Sequence, residues 1–164
     1  VPTGEPGELL LRGPQVFQGY WGRPGETAET LLPDGWLRTG DIAEVSPDGF
    51  VTIVDRRKEL IITGGFNVAP TEVENALRQH PSVADAAVVG LPSDHSGEEV
   101  VAAIVVDPGA DVDVEAIREY ARSILTPYKV PRRVFVVDEL PKSLIGKVLR
   151  RQVKEKLLAL TSGV

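Results

Sequence analysis

Several features are missing from this chain of 164 residues. It has no cysteine, which excludes disulfides, thiolate metal sites and cysteine nucleophiles, and which favours a reducing compartment such as the cytoplasm. It has no methionine, even at position 1, so we interpret it as a piece of a longer protein. Its longest apolar runs, such as residues 100–106, are far shorter than the roughly 20 residues that span a bilayer, and no charged-then-apolar leader is present. We therefore expect a soluble, cytoplasmic protein without a transmembrane segment.

Charge of positive sign is also in deficit, because the formal net charge is −6. This balance argues against nonspecific attraction to phosphate backbones, so no nucleic-acid partner is expected. Two local basic patches remain, at residues 129–133 and 147–151, and they suit a small polyanion better than DNA. The hydrophobic content of 42% allows one buried core, with room for a smaller additional part.

Residues 1–57 are rich in glycine and proline, and they contain short apolar stretches separated by turn formers. The alternating residues 50–54 follow the turn residues 47–49, which predicts a β-hairpin. We expect this part to be a small antiparallel β subdomain.

Residues 58–164 alternate strands with helices, which predicts a mixed α/β (α+β) fold with a small mixed sheet and flanking helices. Pro70 opens one predicted helix, which runs to about His80, and Thr71 and Glu74 are predicted to form its capping box. The other predicted elements are buried strands at 83–89 and 100–106 joined by the loop 90–99, a helix capped by Asp113 and stopped by Pro127, a strand at 134–137 and a helix at 148–160. The basic residues of the last helix, Arg150, Arg151, Lys154 and Lys156, are predicted to be solvated.

The first chemical motif is residues 35–41, GWLRTGD. It is predicted to end a turn at Asp41, whose carboxylate has no adjacent base and can accept two hydroxyl donors, as a ribose diol requires. An Asx-type turn is the alternative.

The second motif is residues 55–59, DRRKE, at the boundary between the two parts. Long charged side chains there can change solvation and partners if one part rotates against the other. A solvated strand end is the alternative.

The third motif is residues 64–74, GGFNVAPTEVE, in which paired glycines leave the backbone open to a closely approaching ligand. A hairpin turn leading into a helix explains the same residues.

The fourth motif is residues 141–151, PKSLIGKVLRR. Lys147 follows a glycine just before the last helix, so its flexible ammonium can reach into a separate site and neutralise charge in phosphoryl transfer. A lone lysine at such a position is ordinarily a surface residue.

These four motifs, in this order and spacing, resemble the adenylate-forming superfamily of acyl-CoA synthetases, peptide-synthetase adenylation domains and beetle luciferases. Residues 7–14, with residues 19–21 and Thr27, resemble the segment that the family places upstream of its ribose-binding aspartate. Residues 59–70 and 142–147 are most similar to bacterial long-chain fatty-acid CoA ligases. The resemblance implies that residues 1–57 end the large adenylation part, and that 58–164 form its mobile C-terminal domain.

The resemblance also implies roles for single residues. Lys147 would be the catalytic lysine, and Lys58 the hinge of the mobile domain. Asp41 and Arg56 would hold the ribose of ATP. The remaining implied roles concern CoA: Gly64, Gly65 and Asn67 would line the pantetheine passage, and Arg122 would contact the CoA phosphate.

The implied reaction needs a carboxylic acid, ATP with Mg²⁺, and CoA. Two departures qualify it. Ile145 occupies a position where many members have serine or threonine, and the glycine-rich phosphate loop has no counterpart here. We therefore expect this chain alone to be inactive and to bind no cofactor tightly.

Two rival functions remain, a peptide-synthetase adenylation domain that loads a carrier protein and a non-catalytic interaction domain. Acetylation of Lys147 by a lysine acetyltransferase would remove its charge, which makes that enzyme a candidate partner.

Overall fold

The computed structural model describes residues 1–107, 109 and 112–161, and the chain divides into two compact units, Val1–Lys58 and Glu59–Val164. In the part of the chain that the structure describes, no helix combines the length and the apolar character needed to cross a membrane.

The first unit is built on a small antiparallel sheet. Its elements are β1 (Gly7–Leu11), α1 (Pro24–Thr30), β2 (Leu37–Val45) and β3 (Val51–Arg56), with the strands in the order β1-β2-β3. Gly49 has φ +84° in the turn between β2 and β3, where its N–H donates to the Ser46 carbonyl at 2.9 Å. The predicted antiparallel sheet and its hairpin turn are therefore confirmed, whereas α1 was not predicted.

The second unit begins in a short 3-10 turn, Arg57–Glu59, which it shares with the first. Its elements are β4 (Ile61–Thr63), β5 (Phe66–Val68), α2 (Pro70–Arg78), β6 (Val83–Ser93), β7 (Gly97–Val106), α3 (Val114–Ile124), β8 (Arg133–Val136) and α4 (Arg150–Thr161). The sheet has the order β5-β4-β7-β6, and β8 pairs with β7 in parallel while the other pairs are antiparallel. The predicted mixed sheet with flanking helices is confirmed.

Both faces of the β6–β7 hairpin are buried, which explains why these strands have almost continuous apolar sequences. Val88 and Ile104 belong to one core cluster, which includes residues of α2 and α3. Val89 and Val101 belong to the other, which includes Val153 and further residues of α4. Alternate residues of each strand thus support helices on opposite sides.

The predicted loop 90–99 is wrong, because β6 and β7 continue pairing as far as Ser93 and Gly97. Only residues 94–96 form the turn. Polar residues mark this end of the hairpin, and one of them, Glu98, accepts a hydrogen bond from the Ile62 N–H at 3.0 Å. The hydrophobic pattern did not predict this end of β6 and β7, because backbone pairing and polar contacts hold the two strands together there.

The predicted capping box at the start of α2 is also wrong. The N-cap residue is Ala69 and not Thr71, and its side chain makes no capping hydrogen bond. Thr71 and Glu74 instead accept hydrogen bonds from Arg150. By contrast, the cap at α3 is confirmed, since the Asp113 carboxylate accepts from the Glu115 and Ala116 N–H groups at 2.9 and 3.2 Å.

Candidate functional site

Lys147 lies in a tight loop, residues 142–148, whose ends pair through an isolated bridge between Lys142 and Val148. The Ser143 N–H donates to the Lys147 carbonyl at 2.8 Å, and the Lys147 N–H donates to Ser143 Oγ at 3.1 Å. Gly146 completes the turn with φ +80°. Ser143 therefore fixes the backbone of Lys147, while the lysine side chain is exposed to solvent.

One end of this loop is fixed by an ion pair to β6. Lys142 Nζ lies 2.8 Å from Asp85 Oδ2, and Arg78 Nε lies 3.0 Å from Asp85 Oδ1. Burial raises the pKa of the Asp85 carboxyl, but hydrogen bonds from Lys142, Arg78 and the Ala86 N–H outweigh it, so the pKa lies below its usual value. Asp85 therefore keeps its charge at neutral pH.

The other end of the loop leads into Arg150, the first residue of α4. Its guanidinium donates to both carboxylate oxygens of Glu74, from Nε at 2.9 Å and from Nη2 at 2.8 Å. Further hydrogen bonds join Nη2 to Thr71 Oγ1 at 2.7 Å and Nη1 to Glu59. The side chains of Glu74 and Arg150 are only 6% and 18% exposed.

Sequence reasoning missed this cluster and placed Arg150 among the solvated residues of the last helix, which is wrong. Three other basic residues on the same helix led to the prediction that Arg150 belongs to its solvent-exposed face. Glu74 directly follows Val73, which with Ala76 and Leu77 forms the apolar face of this helix, and this position was the available signal of a buried charge.

Asp41 and Arg56 are direct partners on neighbouring strands β2 and β3. Arg56 Nε lies 2.7 Å from Asp41 Oδ1, with the side chains 51% and 22% exposed. The prediction that Asp41 ends a turn with an unpaired carboxylate is therefore wrong. Gly40, at φ +71°, allows the chain to continue as a strand into Asp41, which brings Asp41 opposite Arg56.

A cavity of about 710 Å³ lies beside this pair in the first unit. Its charged lining residues are Glu8, Glu29, Arg38, Arg56, Arg57 and Lys58. Hydrogen bonds from Arg38, together with the nearby charge of Arg57, hold the pKa of the Glu8 carboxyl below its usual value. The four basic side chains make this cavity suitable for an anionic ligand.

Lys58 lies in the short turn Arg57–Glu59 and is the last residue of the first unit. Its side chain is exposed.

Gly64 and Gly65 form the two-residue turn between β4 and β5, with φ +55° and +84°. Positive φ at both positions is typical of a type I′ hairpin, which explains the glycine pair by geometry alone. A Cβ added at either position would meet nothing within 4 Å, so the backbone is open to a ligand as well. Asn67 follows on β5 opposite Ile62 and is exposed.

Arg122 lies on α3, where its Nη1 is 2.8 Å from Glu115 Oε1. It lines a cavity of about 400 Å³ together with Arg118 and Arg132. The predicted site residues therefore occupy four places, namely the Asp41–Arg56 pair with nearby Lys58, the glycine hairpin with Asn67, the helix α3, and the loop of Lys147.

Residues 72–147 match a family model described as the AMP-binding enzyme C-terminal domain. The chain contains an AMP-binding enzyme C-terminal domain. The matched span begins in α2 and ends at Lys147, so it includes Glu74 of the buried cluster but neither Glu59 nor Arg150.

Similarity to known proteins extends beyond this domain. The chain is 49% identical over 156 residues to a long-chain-fatty-acid–CoA ligase of Escherichia coli O6:H1, covering 95% of the chain and 28% of the relative. It is 47% identical over 152 residues to the ligase of that name from Bacillus subtilis, covering 93% and 27%. The chain thus spans less than a third of the length of these relatives.

A solved structure agrees with the sequence comparisons. ATP-bound MatB from Rhodopseudomonas palustris superimposes with a TM-score of 0.88 at 38% identity, covering 95% of this chain and 31% of that one. The predicted resemblance to adenylate-forming enzymes, and within them to bacterial long-chain ligases, is confirmed.

The AMP-binding C-terminal domain offers no clustered metal ligands in its described part. Across residues 1–107, 109 and 112–161, no group of three or more histidine, aspartate and glutamate side chains is arranged to hold a metal ion.

Proposed function

We propose that this chain is part of a cytoplasmic, ATP-dependent acid–thiol ligase that forms fatty acyl-CoA. One observation carries the proposal: the AMP-binding C-terminal domain presents an exposed lysine, Lys147, on a loop whose backbone is fixed by Ser143. The long-chain ligases among its relatives favour a fatty acid as the carboxylate substrate.

The proposed reaction has two steps. A carboxylate oxygen attacks the α-phosphorus of ATP, which gives an acyl adenylate and releases pyrophosphate. The CoA thiol then loses its proton and attacks the acyl carbon, which gives the thioester and releases AMP. We propose that Mg²⁺ enters with ATP and neutralises its phosphates.

Lys147 acts in the first step. Its ammonium would lie between the attacking carboxylate and the α-phosphate, where positive charge stabilises the additional negative charge of the transition state. A lysine suits this role because its long, flexible arm carries a compact charge that can enter and leave a pocket.

Asp41 and Arg56 act together on the nucleotide. Their ion pair supplies carboxylate acceptors and guanidinium donors side by side, and both side chains are partly accessible. We propose that this arrangement binds the two ribose hydroxyls, beside a cavity whose basic side chains attract phosphates.

The remaining proposed roles concern the change from adenylation to thioester formation. Lys58, where the two units divide, would be the hinge about which residues 58–164 rotate. The open backbone of Gly64 and Gly65, with Asn67, would then line the pantetheine passage. Arg122 would contact a CoA phosphate, in competition with its pairing to Glu115.

We also propose that residues 1–57 end a larger adenylation part. In support, the first unit exposes large apolar side chains on β3 and just before it, including Phe50, Val51 and Ile53, each more than half accessible. Exposed apolar surface of this kind is typical of a contact with another part of a protein.

The test is Lys147→Ala in an enzyme that contains this chain and its upstream adenylation part. We expect acyl-adenylate formation to fall about 10²–10³-fold, the usual effect of removing a preorganised charge or donor. Thioester formation from supplied acyl adenylate should stay close to the unmodified rate. Equal loss in both steps would reject this role for Lys147.

Two rival functions are separable by activity measurements. A peptide-synthetase adenylation domain would transfer the acyl group to a carrier protein in place of free CoA, so transfer to CoA in solution excludes it. A non-catalytic interaction domain would show no Lys147-dependent adenylation in the complete enzyme.

Acetylation of Lys147 is a further proposal about regulation. The exposed side chain is accessible to a lysine acetyltransferase, and acetylation would remove the charge that the first step requires. Mass spectrometry after incubation with such an enzyme and acetyl-CoA should find Lys147 modified; an unmodified Lys147 would contradict the proposal.

A further inference from the structure

Six charged side chains of alternating sign connect the loop of Lys147 to the beginning of the second unit. Successive pairs are Lys142–Asp85 at 2.8 Å, Asp85–Arg78 at 3.0 Å, Arg78–Glu74 at 3.7 Å, Glu74–Arg150 at 2.8 Å, and Arg150–Glu59. We call this set the ion chain. It begins five residues before Lys147 and ends at Glu59, the neighbour of Lys58.

The ion chain holds the loop at both of its ends. Lys142 pairs with β6 at the start of the loop, and Arg150 contacts α2 and Glu59 immediately after it. Between these points the Leu149 N–H donates to the Pro141 carbonyl at 2.8 Å, which closes the base of the loop. These contacts fix the backbone on both sides of Lys147 without involving its side chain.

Arg150 is the residue on which this arrangement depends most. Its planar guanidinium binds the Glu74 carboxylate through two hydrogen bonds while also reaching Thr71 and Glu59, a geometry that a lysine ammonium cannot reproduce. Glu74 is further held by the Val88 N–H at 3.0 Å. The pair is thereby joined to the buried strand β6.

Because the Glu74–Arg150 pair is buried, we expect it to define the local geometry more than to increase the stability of the fold. Removing two charges from water costs nearly as much as their attraction returns, and apolar residues of similar size would stabilise the fold as well or better. A fully hydrogen-bonded buried network does, however, admit few alternative arrangements.

We propose that Arg150, acting through Glu74 and Glu59, is a positioning residue that sets the loop of Lys147 relative to the hinge segment for adenylation. This inference rests on the proposed function. A displacement of about 1 Å at a reacting group can reduce a rate by roughly 10²-fold, so loss of the ion chain should lower the first step selectively.

The experiment compares variants of the complete enzyme in both half-reactions. Arg150→Ala should lower kcat for adenylation by about 10–100-fold, because Arg150 positions the reacting lysine. The KM for ATP should change little, because the proposed ATP-binding residues are not altered. Thioester formation from supplied acyl adenylate should change less than threefold. Arg150→Lys, which keeps the charge but loses the planar fork, should recover part of the rate.

Two further variants control for folding. Arg151→Ala alters the adjacent arginine, which is 91% exposed and pairs with Glu155 along its own helix, and it should behave as the unmodified enzyme. Glu59→Gln removes one charge at a side chain that is 31% exposed and leaves the Glu74–Arg150 pair in place. It should show a smaller selective loss even if Arg150→Ala does not fold.

Hydrogen exchange supplies a readout independent of activity. In Arg150→Lys and Glu59→Gln, the Lys147 and Leu149 amides should exchange faster while amides of the β6–β7 hairpin keep their protection. The inference is overturned if neither variant changes the ratio of the two half-reactions, or if both steps fall equally. If Lys147→Ala also lacks a selective effect, the proposed function fails; if Lys147→Ala is selective, only the positioning role fails.

Discussion

Lys147 and Arg150 carry the same charge in opposite environments, although only three residues separate them. The lysine is exposed on a loop fixed by Ser143, whereas the arginine is largely buried against Glu74. An exposed ammonium can reach a substrate, whereas a buried guanidinium can act only by orienting other groups of the same protein. Burial, more than residue type, therefore separates the proposed catalytic group from the proposed positioning group.

Glu74→Ala tests the energetic side of this distinction. The change would leave the buried Arg150 guanidinium and the Val88 N–H without the carboxylate, so we expect a loss of about 3–5 kcal/mol in the free energy of unfolding. Denaturant unfolding monitored by circular dichroism measures it.

Glu72→Ala is the matched control on the same helix. Glu72 pairs with Lys129 and its side chain is 42% exposed, so the expected loss is below about 1 kcal/mol. Similar losses for the two variants would mean that the buried pair has no special weight in the fold.

At the scale of elements, the β4–β5 hairpin combines a tight backbone turn with buried side chains, Ile61 and Val68, in the core. Its strands have three residues each and are joined by the turn at Gly64 and Gly65. The adjacent ring of Phe66 stacks on Tyr128 with the centroids 4.4 Å apart, which holds the hairpin near the end of α3. The turn therefore combines a conformational requirement with an open surface.

Gly65→Ala should destabilise the second unit by about 1–2 kcal/mol, because an alanine at positive φ places its Cβ too close to the backbone. Gly65→Asn is the matched comparison, since asparagine adopts this conformation more readily and should cost less. Unfolding curves for both variants check the order. A smaller cost for alanine than for asparagine would contradict the assigned turn.

At the scale of the whole molecule, paired carboxylates in both units link stability to pH. Hydrogen bonds from arginine lower the pKa of Glu8 in the first unit and of Glu115 in the second, and Lys142 and Arg78 outweigh burial to lower that of Asp85. A carboxyl whose pKa is lower in the folded state stabilises the fold above its unfolded pKa. That stabilisation is lost as the pH falls through the folded pKa.

We expect the thermal midpoint of each unit to be nearly constant around neutral pH and to fall as the pH drops below about 4.3, the ordinary pKa of glutamate. Glu8→Gln should flatten the acid dependence of the first unit alone. Glu5→Gln, at an exposed glutamate three residues earlier, is the control and should leave the curve unchanged. Calorimetry between pH 7 and pH 3 gives the measurement, and an unchanged slope in Glu8→Gln would contradict the assignment.

Local sequence patterns predicted the features that depend on neighbouring residues. The apolar runs of β6 and β7, the Asp113 cap and the position of α4 follow from local pattern, because period and capping act over a few residues. The four motifs likewise indicated the family, since their order and spacing are properties of the chain. The roles of Asp41, Arg56, Lys58, Lys147 and the CoA-contacting residues remain proposals from that likeness.

Which charged side chains pair with one another depends on the packing of distant elements. Arg150 lies 76 residues from Glu74 and 91 from Glu59 along the chain, yet it binds both. Asp41 acquired Arg56 as a partner only because β2 and β3 pair in the observed register. Such contacts depend on how separate elements pack, which residues close together in the chain do not specify.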